Sequence, residues 1–308
     1  MRHRIAAGIV TCAVLVIPGP AAGAPYPDHG QMDAVREYLK QRAGVVGVGV
    51  MDSRGRVRGV HGRRRFASAS VVKAMLLVSY LRKVAHQERG LTHYEHGKLR
   101  PMIRVSSNSA ATWVYNRVGD VLLRRLARRA DMDQFSICCY WSYAQFSARD
   151  QAKFFWQLER LTPPRFRDYA THLLSTIVSR QSWGIPQVGR RRGASVFFKG
   201  AWRKTALGRL VHQAAFIRYP GTEFSLAVLT DGNPSRSYGI ETITGVARKI
   251  LRVKPQASAT HQEHAPVAYD VAIRQPEGGT QLEGRDPEAA QLAAGLPAES
   301  QLELLRSR

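Results

Sequence analysis

From Ser70 to His86 the chain is apolar on nearly every side of a helical repeat, through Val71, Val72, Met75, Leu76, Leu77, Val78 and Leu81. A helix without a polar face belongs at the centre of a domain. Upstream, helical spacing over Gln31 to Arg42 gives way to a strand pattern in Val45 to Met51. A turn at Asp52 to Gly55 then leads to a weaker strand near Val57 to Val60. Downstream, apolar periodicity predicts helices over Asn108 to Val118, Val121 to Ala130, Ala148 to Leu161 and Arg165 to Val178. Ser147 followed by Asp150 reads as a capping box for one of them. Strand patterns return at Ser195 to Phe198, Arg209 to Arg218 and Glu223 to Thr230, and the Tyr219-Pro220-Gly221-Thr222 connection makes the last two a hairpin. A helix over Ile240 to Leu251 closes the series. Two strands, a helical insert, three strands and a terminal helix predict an α+β fold. Its core is a five-stranded antiparallel sheet flanked by helices, with an inserted all-helical subdomain at about residues 70–180.

Composition changes this picture at both ends. Arg2 and Arg4 precede an apolar run from Ile5 to Ile17, and Ala22-Gly23-Ala24 resembles a cleavage site. Residues 1–24 therefore read as a signal peptide, and the mature protein is expected to be secreted or extracytoplasmic. The run is too short for a transmembrane span and is followed by Pro18 and Pro20. Lipidation at Cys12 is disfavoured by Thr11, which stands where a small residue is usual. From Lys254 onward the chain turns rich in Pro, Gln, Glu, Ala and Gly, so 254–308 is expected to be a disordered tail with a short helix near Ala298 to Leu305. The globular domain is then 25–253.

The whole chain carries a net charge of +23, from 46 basic and 23 acidic side chains. Without leader and tail, residues 25–253 carry about +24. Such a charge favours an anionic envelope surface as a partner, and solvated arginines in loops (Arg63 to Arg65, Arg190 to Arg192) are the plainer explanation. Nucleic acid is not expected: the leader argues against it, and no recognition motif accompanies the arginines.

Beyond the leader only the adjacent Cys138 and Cys139 remain. They form neither a disulfide framework nor a zinc pattern, and two small buried side chains are expected. His86, His93 and His96 lack a metal-binding spacing. No glycine-rich phosphate loop and no Gly-x-Ser-x-Gly elbow is present, so neither a cofactor nor an α/β-hydrolase site is implied.

Three short segments carry candidate chemistry. Ser70 and Lys73, in Ser70-Val71-Val72-Lys73, lie three apart on a helix and share a face. A lysine inside so apolar a helix needs a reason, and an amine in its neutral form would serve as base for a hydroxyl. Ser106-Ser107-Asn108, just before a helix, offers a hydroxyl and an amide on a tight turn, although an ordinary N-cap cluster has the same composition. Lys199-Gly200-Ala201-Trp202 puts a cation and backbone N–H groups where an apolar strand is expected to end, a place for a substrate strand to dock.

In this order the three segments resemble the S-x-x-K, S-D-N and K-T-G motifs of the serine β-lactamase and penicillin-binding superfamily, class A branch. The similarity runs over about residues 31–251. It implies that Ser70 attacks a carbonyl and forms an acyl-enzyme, with Lys73 accepting or relaying the proton. Ser106 would pass a proton to the leaving nitrogen, Lys199 would bind a substrate carboxylate, and Asn108 would hold a substrate amide. Gly200 and Ala201 would line the substrate edge. The N–H groups of Ser70 and Trp202 would form an oxyanion hole, worth roughly 3 kcal/mol per donor. The chain departs from the family at Ser107 (usually aspartate), at Ala201 (usually glycine) and in lacking an E-x-x-x-N loop. Lys204-Thr205-Ala206, an alternative third motif, reads as a turn.

The expected function is a monomeric, secreted serine hydrolase acting on β-lactam or peptidoglycan-derived substrates. The alternatives are a D-alanyl peptidase of the cell wall, or a non-catalytic module that binds envelope polymers.

Overall fold

The computed structural model describes residues 26–251; the leader, and the tail with the short helix expected in it, lie outside the described residues. The chain runs α1 (His29–Lys40), β1 (Val45–Met51), β2 (Val57–Val60), β3 (Arg65–Ala67), a 3-10 turn (Ala69–Val71), α2 (Val72–His86), α3 (His93–Arg104) and α4 (Asn108–Arg129). It continues through β4 (Gln145–Ser147), α5 (Ala148–Trp156), α6 (Leu158–Leu161), α7 (Arg167–Ser175) and α8 (Ile185–Arg190). The last elements are β5 (Ser195–Thr205), β6 (Gly208–Tyr219), β7 (Thr222–Asn233) and α9 (Arg236–Ile250).

The five-stranded sheet has the order β2-β1-β7-β6-β5, every neighbouring pair antiparallel. This is the predicted α+β architecture, with α2 to α8 inserted between β2 and β5. Register explains the small residues of its central strands. Gly49, Ala227, Ala214 and Lys199 are cross-strand partners in one row, and partners across a sheet share a face. On that face α5 packs against β1, β6 and β7. A side chain at Gly49 would bring its Cβ within 2.2 Å of the Ala148 carbonyl oxygen, at the start of α5. The small residues therefore let the helix approach, and Lys199 ends the same row on the edge strand. The opposite face carries α9, where a Cβ on Gly239 would strike the Val211 side chain, and α1 packs on α9.

The structure revises several boundaries. The two helices predicted over 108–130 are both present and meet at Gly119 within α4, where a φ of 65°, which a glycine adopts without strain, breaks the helical backbone. α3 was not anticipated, because Pro101 inside it and His93-Tyr94-Glu95-His96 at its start mask the apolar spacing. Its capping box of Thr92 and Glu95 is present nonetheless. The three-residue pair β3 and β4 is too short to show a period. β5 continues to Thr205, so Lys199 sits in mid-strand and not at a strand end, and Lys204 and Thr205 close the strand instead of forming the turn.

The expectation for the cysteines is also corrected. Cys138 and Cys139 are exposed and disulfide-bonded to each other. They lie in the loop between α4 and β4, where Cys139 adopts a φ of 74°. A neighbouring-residue bridge depends on that local backbone, which spacing does not report.

Candidate active site

α2 is buried over most of its length, and Lys73 in its first turn is fully buried. Sequence alone left that lysine unexplained; its surroundings supply the reason. Lys73 Nζ donates to the Ser106 carbonyl oxygen at 2.6 Å, to Asn108 Oδ1 at 2.6 Å and to Ser106 Oγ at 3.2 Å. It also lies 4.7 Å from the centroid of the Trp141 ring, in cation–π range. The Ser106-Ser107-Asn108 segment thus curls over the amine. Ser106 takes a φ of 61° to do so, a strained position for a non-glycine residue that costs on the order of 1–3 kcal/mol. Ser107 caps α4 by accepting the Ala110 N–H at 3.3 Å.

Lys199 reaches the same hydroxyl from the sheet. Its Nζ donates to Ser106 Oγ at 3.1 Å and to the Gly200 carbonyl oxygen at 2.9 Å. Complete burial pushes its pKa down to about 7, because a low-dielectric site disfavours the ammonium form. One serine hydroxyl therefore stands between two lysine amines that are far apart in sequence.

Ser70 is half-buried in the 3-10 turn ahead of α2, and β5 packs against that turn. The turn is held from both sides. Ser68 donates its N–H to the Ala144 carbonyl at 2.6 Å and its hydroxyl to the Trp141 carbonyl at 3.1 Å. Ala69, immediately before Ser70, has a φ of 42°, a second strained residue at the same place.

His212 fixes the segment before the turn. The Thr230 N–H donates to its Nδ1 at 3.0 Å, which leaves Nε2–H to donate to the Ala67 carbonyl at 3.0 Å. Burial lowers its pKa to about 4, so the ring is neutral and keeps this tautomer. Sequence analysis did not find His212, since a lone histidine in an apolar strand carries no motif.

Gly200 and Trp202 alternate with Lys199 and Ala201 and so face the α9 side of the sheet. The Trp202 ring lies 6.3 Å from Trp183 and has the Arg236 guanidinium stacked on it at 4.1 Å. Beside Gly200, a Cβ would lie 3.5 Å from the Trp183 ring. Ala201 is fully buried and pairs with His212.

The segment from the end of α4 into α5 supplies Trp141 but places its three carboxylates in other work. Asp131 and Asp133 pair with Lys153 at 2.6 and 3.1 Å. Asp150 is buried and accepts the N–H groups of Asp133, Gln134 and Ser147, the capping box with Ser147 being complete. Trp141 also escaped the sequence analysis, because a single aromatic in a loop has no periodic signal. Among the described residues no group of three His, Cys, Asp or Glu could hold a metal ion.

Comparison with solved structures places this arrangement among known folds. An ancestral class A β-lactamase shares 18% identity at a TM-score of 0.63, over 72% of this chain and 99% of that one. The β-lactamase of Sphaerobacter thermophilus gives 18% and 0.62, over 73% and 97%. The class A β-lactamase of Mycobacterium abscessus gives 18% and 0.62, over 72% and 98%. No curated protein matches the sequence. The sequence profile described as the beta-lactamase enzyme family matches residues 98–253, just over half of the 308 residues. With that match and the class A fold, the chain belongs to the beta-lactamase enzyme family.

Proposed function

We propose that the protein is a secreted serine hydrolase that opens β-lactam-type cyclic amides through an acyl-enzyme on Ser70. The observation that carries this reading is the Ser106 hydroxyl lying between Lys73 and Lys199, on a strand packed against the turn of Ser70. A carboxylate of the substrate docks on the Lys199 ammonium, and the ring carbonyl lies against the N–H groups of Ser70 and Trp202. Ser70 Oγ attacks the carbonyl carbon and forms the ester bond as the C–N bond breaks. Its proton passes to Lys73 and on through Ser106 Oγ to the departing nitrogen, so charge and atoms balance. Asn108 orients the substrate amide.

Release of the acyl group is slow in this reading. The carboxylates of the loop that carries the deacylating glutamate in the wider family are committed to Lys153 and to backbone N–H groups here. The protein therefore accumulates the ester.

Intact-protein mass spectrometry after incubation with a penicillin tests the proposal, with nitrocefin and a D-alanyl-D-alanine peptide as parallel substrates. A penicilloyl adduct on the wild type and its loss in Ser70→Ala are expected. An unmodified mass together with no product from any of the three substrates overturns it.

A further inference from the structure

At the end of α9 far from Arg236 lies a cavity of about 460 Å³, lined by Gln187, Val188, Arg191, Arg192, Arg248 and Lys249. The fifteen residues of α9 separate it from the Trp202–Arg236 stack by roughly 20 Å at 1.5 Å per residue. Four of its six lining side chains are cations, and none is an acid. Among the described residues none of these four cations enters a salt bridge.

Arg192 Nη1 is buried from solvent and has no hydrogen-bond partner. A guanidinium N–H hidden in this way loses its water without gaining an acceptor, at a cost on the order of 1–3 kcal/mol or more. Its backbone is fixed, with the Arg192 N–H donating to the Gly189 carbonyl at 2.9 Å, so the side chain emerges from a rigid turn after α8. Lys249 is likewise held, its Nζ over the Tyr38 ring at 4.9 Å. Four cations gathered without an acidic neighbour repel one another, and an anion with several charges relieves that repulsion.

We propose that this cavity is a binding site for phosphate-bearing anions, separate from the Ser70 centre, with Arg192 and Arg248 as its principal ligands. Arginine forks match phosphate oxygens in a bidentate manner, and the cavity is large enough for a phosphate and its neighbouring ester groups. An extended phosphodiester chain uses the remaining two cations, Arg191 and Lys249, for its adjoining phosphates. The +24 of the surrounding domain raises the local concentration of such a polymer.

Binding of fluorescent poly(glycerol phosphate) and of pyrophosphate to the full mature chain, at 150 mM salt, tests the site. Arg192→Gln/Arg248→Gln is compared with Arg63→Gln/Arg64→Gln, which removes the same charge elsewhere. The cavity variant is expected to weaken binding at least about tenfold, equivalent to 1.4 kcal/mol, and to flatten its salt dependence. The control variant stays within about twofold of wild type, and acylation by penicillin is unchanged in both. Retention by the polymer alone assigns the site to a phosphodiester chain, and equal sensitivity of pyrophosphate assigns it to free phosphate esters. Equal losses in the two variants, or no binding of either probe by the wild type, overturn the proposal.

Discussion

The Lys73 amine lies 4.7 Å from the centre of the Trp141 ring, so an aromatic face from the loop before α5 covers the amine that donates to Ser106. Trp141 is buried and its indole N–H donates to Thr112 Oγ1 at 3.1 Å, which fixes the ring angle. The same residue ties down the serine turn through its carbonyl, the acceptor for Ser68. The loop thus shapes the site by packing and a quadrupole where a family member with a loop glutamate would use a charge.

Replacing the ring tests that role. Trp141→Leu keeps an apolar filler but loses the π face, worth about 2 kcal/mol at a desolvated site. The acylation rate at Ser70, followed by quenched-flow mass spectrometry, is expected to fall about thirtyfold. Trp141→Phe, which retains a ring, is expected to fall by less. An unchanged rate in Trp141→Leu refutes the contribution.

Lys199 sets a pH dependence. Its pKa is depressed to about 7 by burial, so the ammonium form that would hold a carboxylate in the proposed reaction is lost as pH rises through that value. For an anionic substrate, kcat/KM should decline above about pH 7, approaching tenfold per unit. Lys199→Arg, which stays charged, should remove this limb even if the rate is lower throughout. The sign for stability is opposite. Between about pH 7 and the ordinary lysine value the unfolded chain binds the extra proton, so folding stability gains from this group as pH rises. Urea midpoints at pH 7 and pH 9, in wild type and Lys199→Met, separate the two effects.

Asp150 holds the start of the loop rather than the chemistry. Its carboxylate accepts N–H groups from Asp133, Gln134 and Ser147. Asp150→Asn turns an amide donor toward one of these N–H groups and should cost about 2 kcal/mol. Tm is then expected to drop by roughly 4–8 °C for a domain of this size. The acylation rate per folded molecule should hold within a few-fold. A large rate loss with unchanged Tm would instead give Asp150 a chemical role.

Much of the architecture was legible in the residue pattern. The apolar helix after Ser70, the Val45 to Met51 segment and the late strands β6 and β7 are buried on more than one side. Such burial imposes apolar runs that the sequence must carry, and the order and length of those runs predicted the α+β sheet. The three motifs were legible for a similar reason: residues near in sequence on one helix or turn keep a fixed spacing. Elements that bury little, such as β3 and β4, or that are interrupted, such as α3 at Pro101, left no period to find.

Local spacing ends where the chain folds back on itself. The sequence determined that Ser70 and Lys73 share a helical face, that Ser107 or Asn108 begins a helix, and that Lys199 lies on an apolar strand. Only the tertiary structure decided that Lys73 and Lys199 converge on one Ser106 hydroxyl, that Trp141 covers the first amine and that His212 anchors Ala67. Those contacts join residues between 33 and 145 positions apart, and they exist because sheet register and helix packing bring distant segments together, a relation that no local period records.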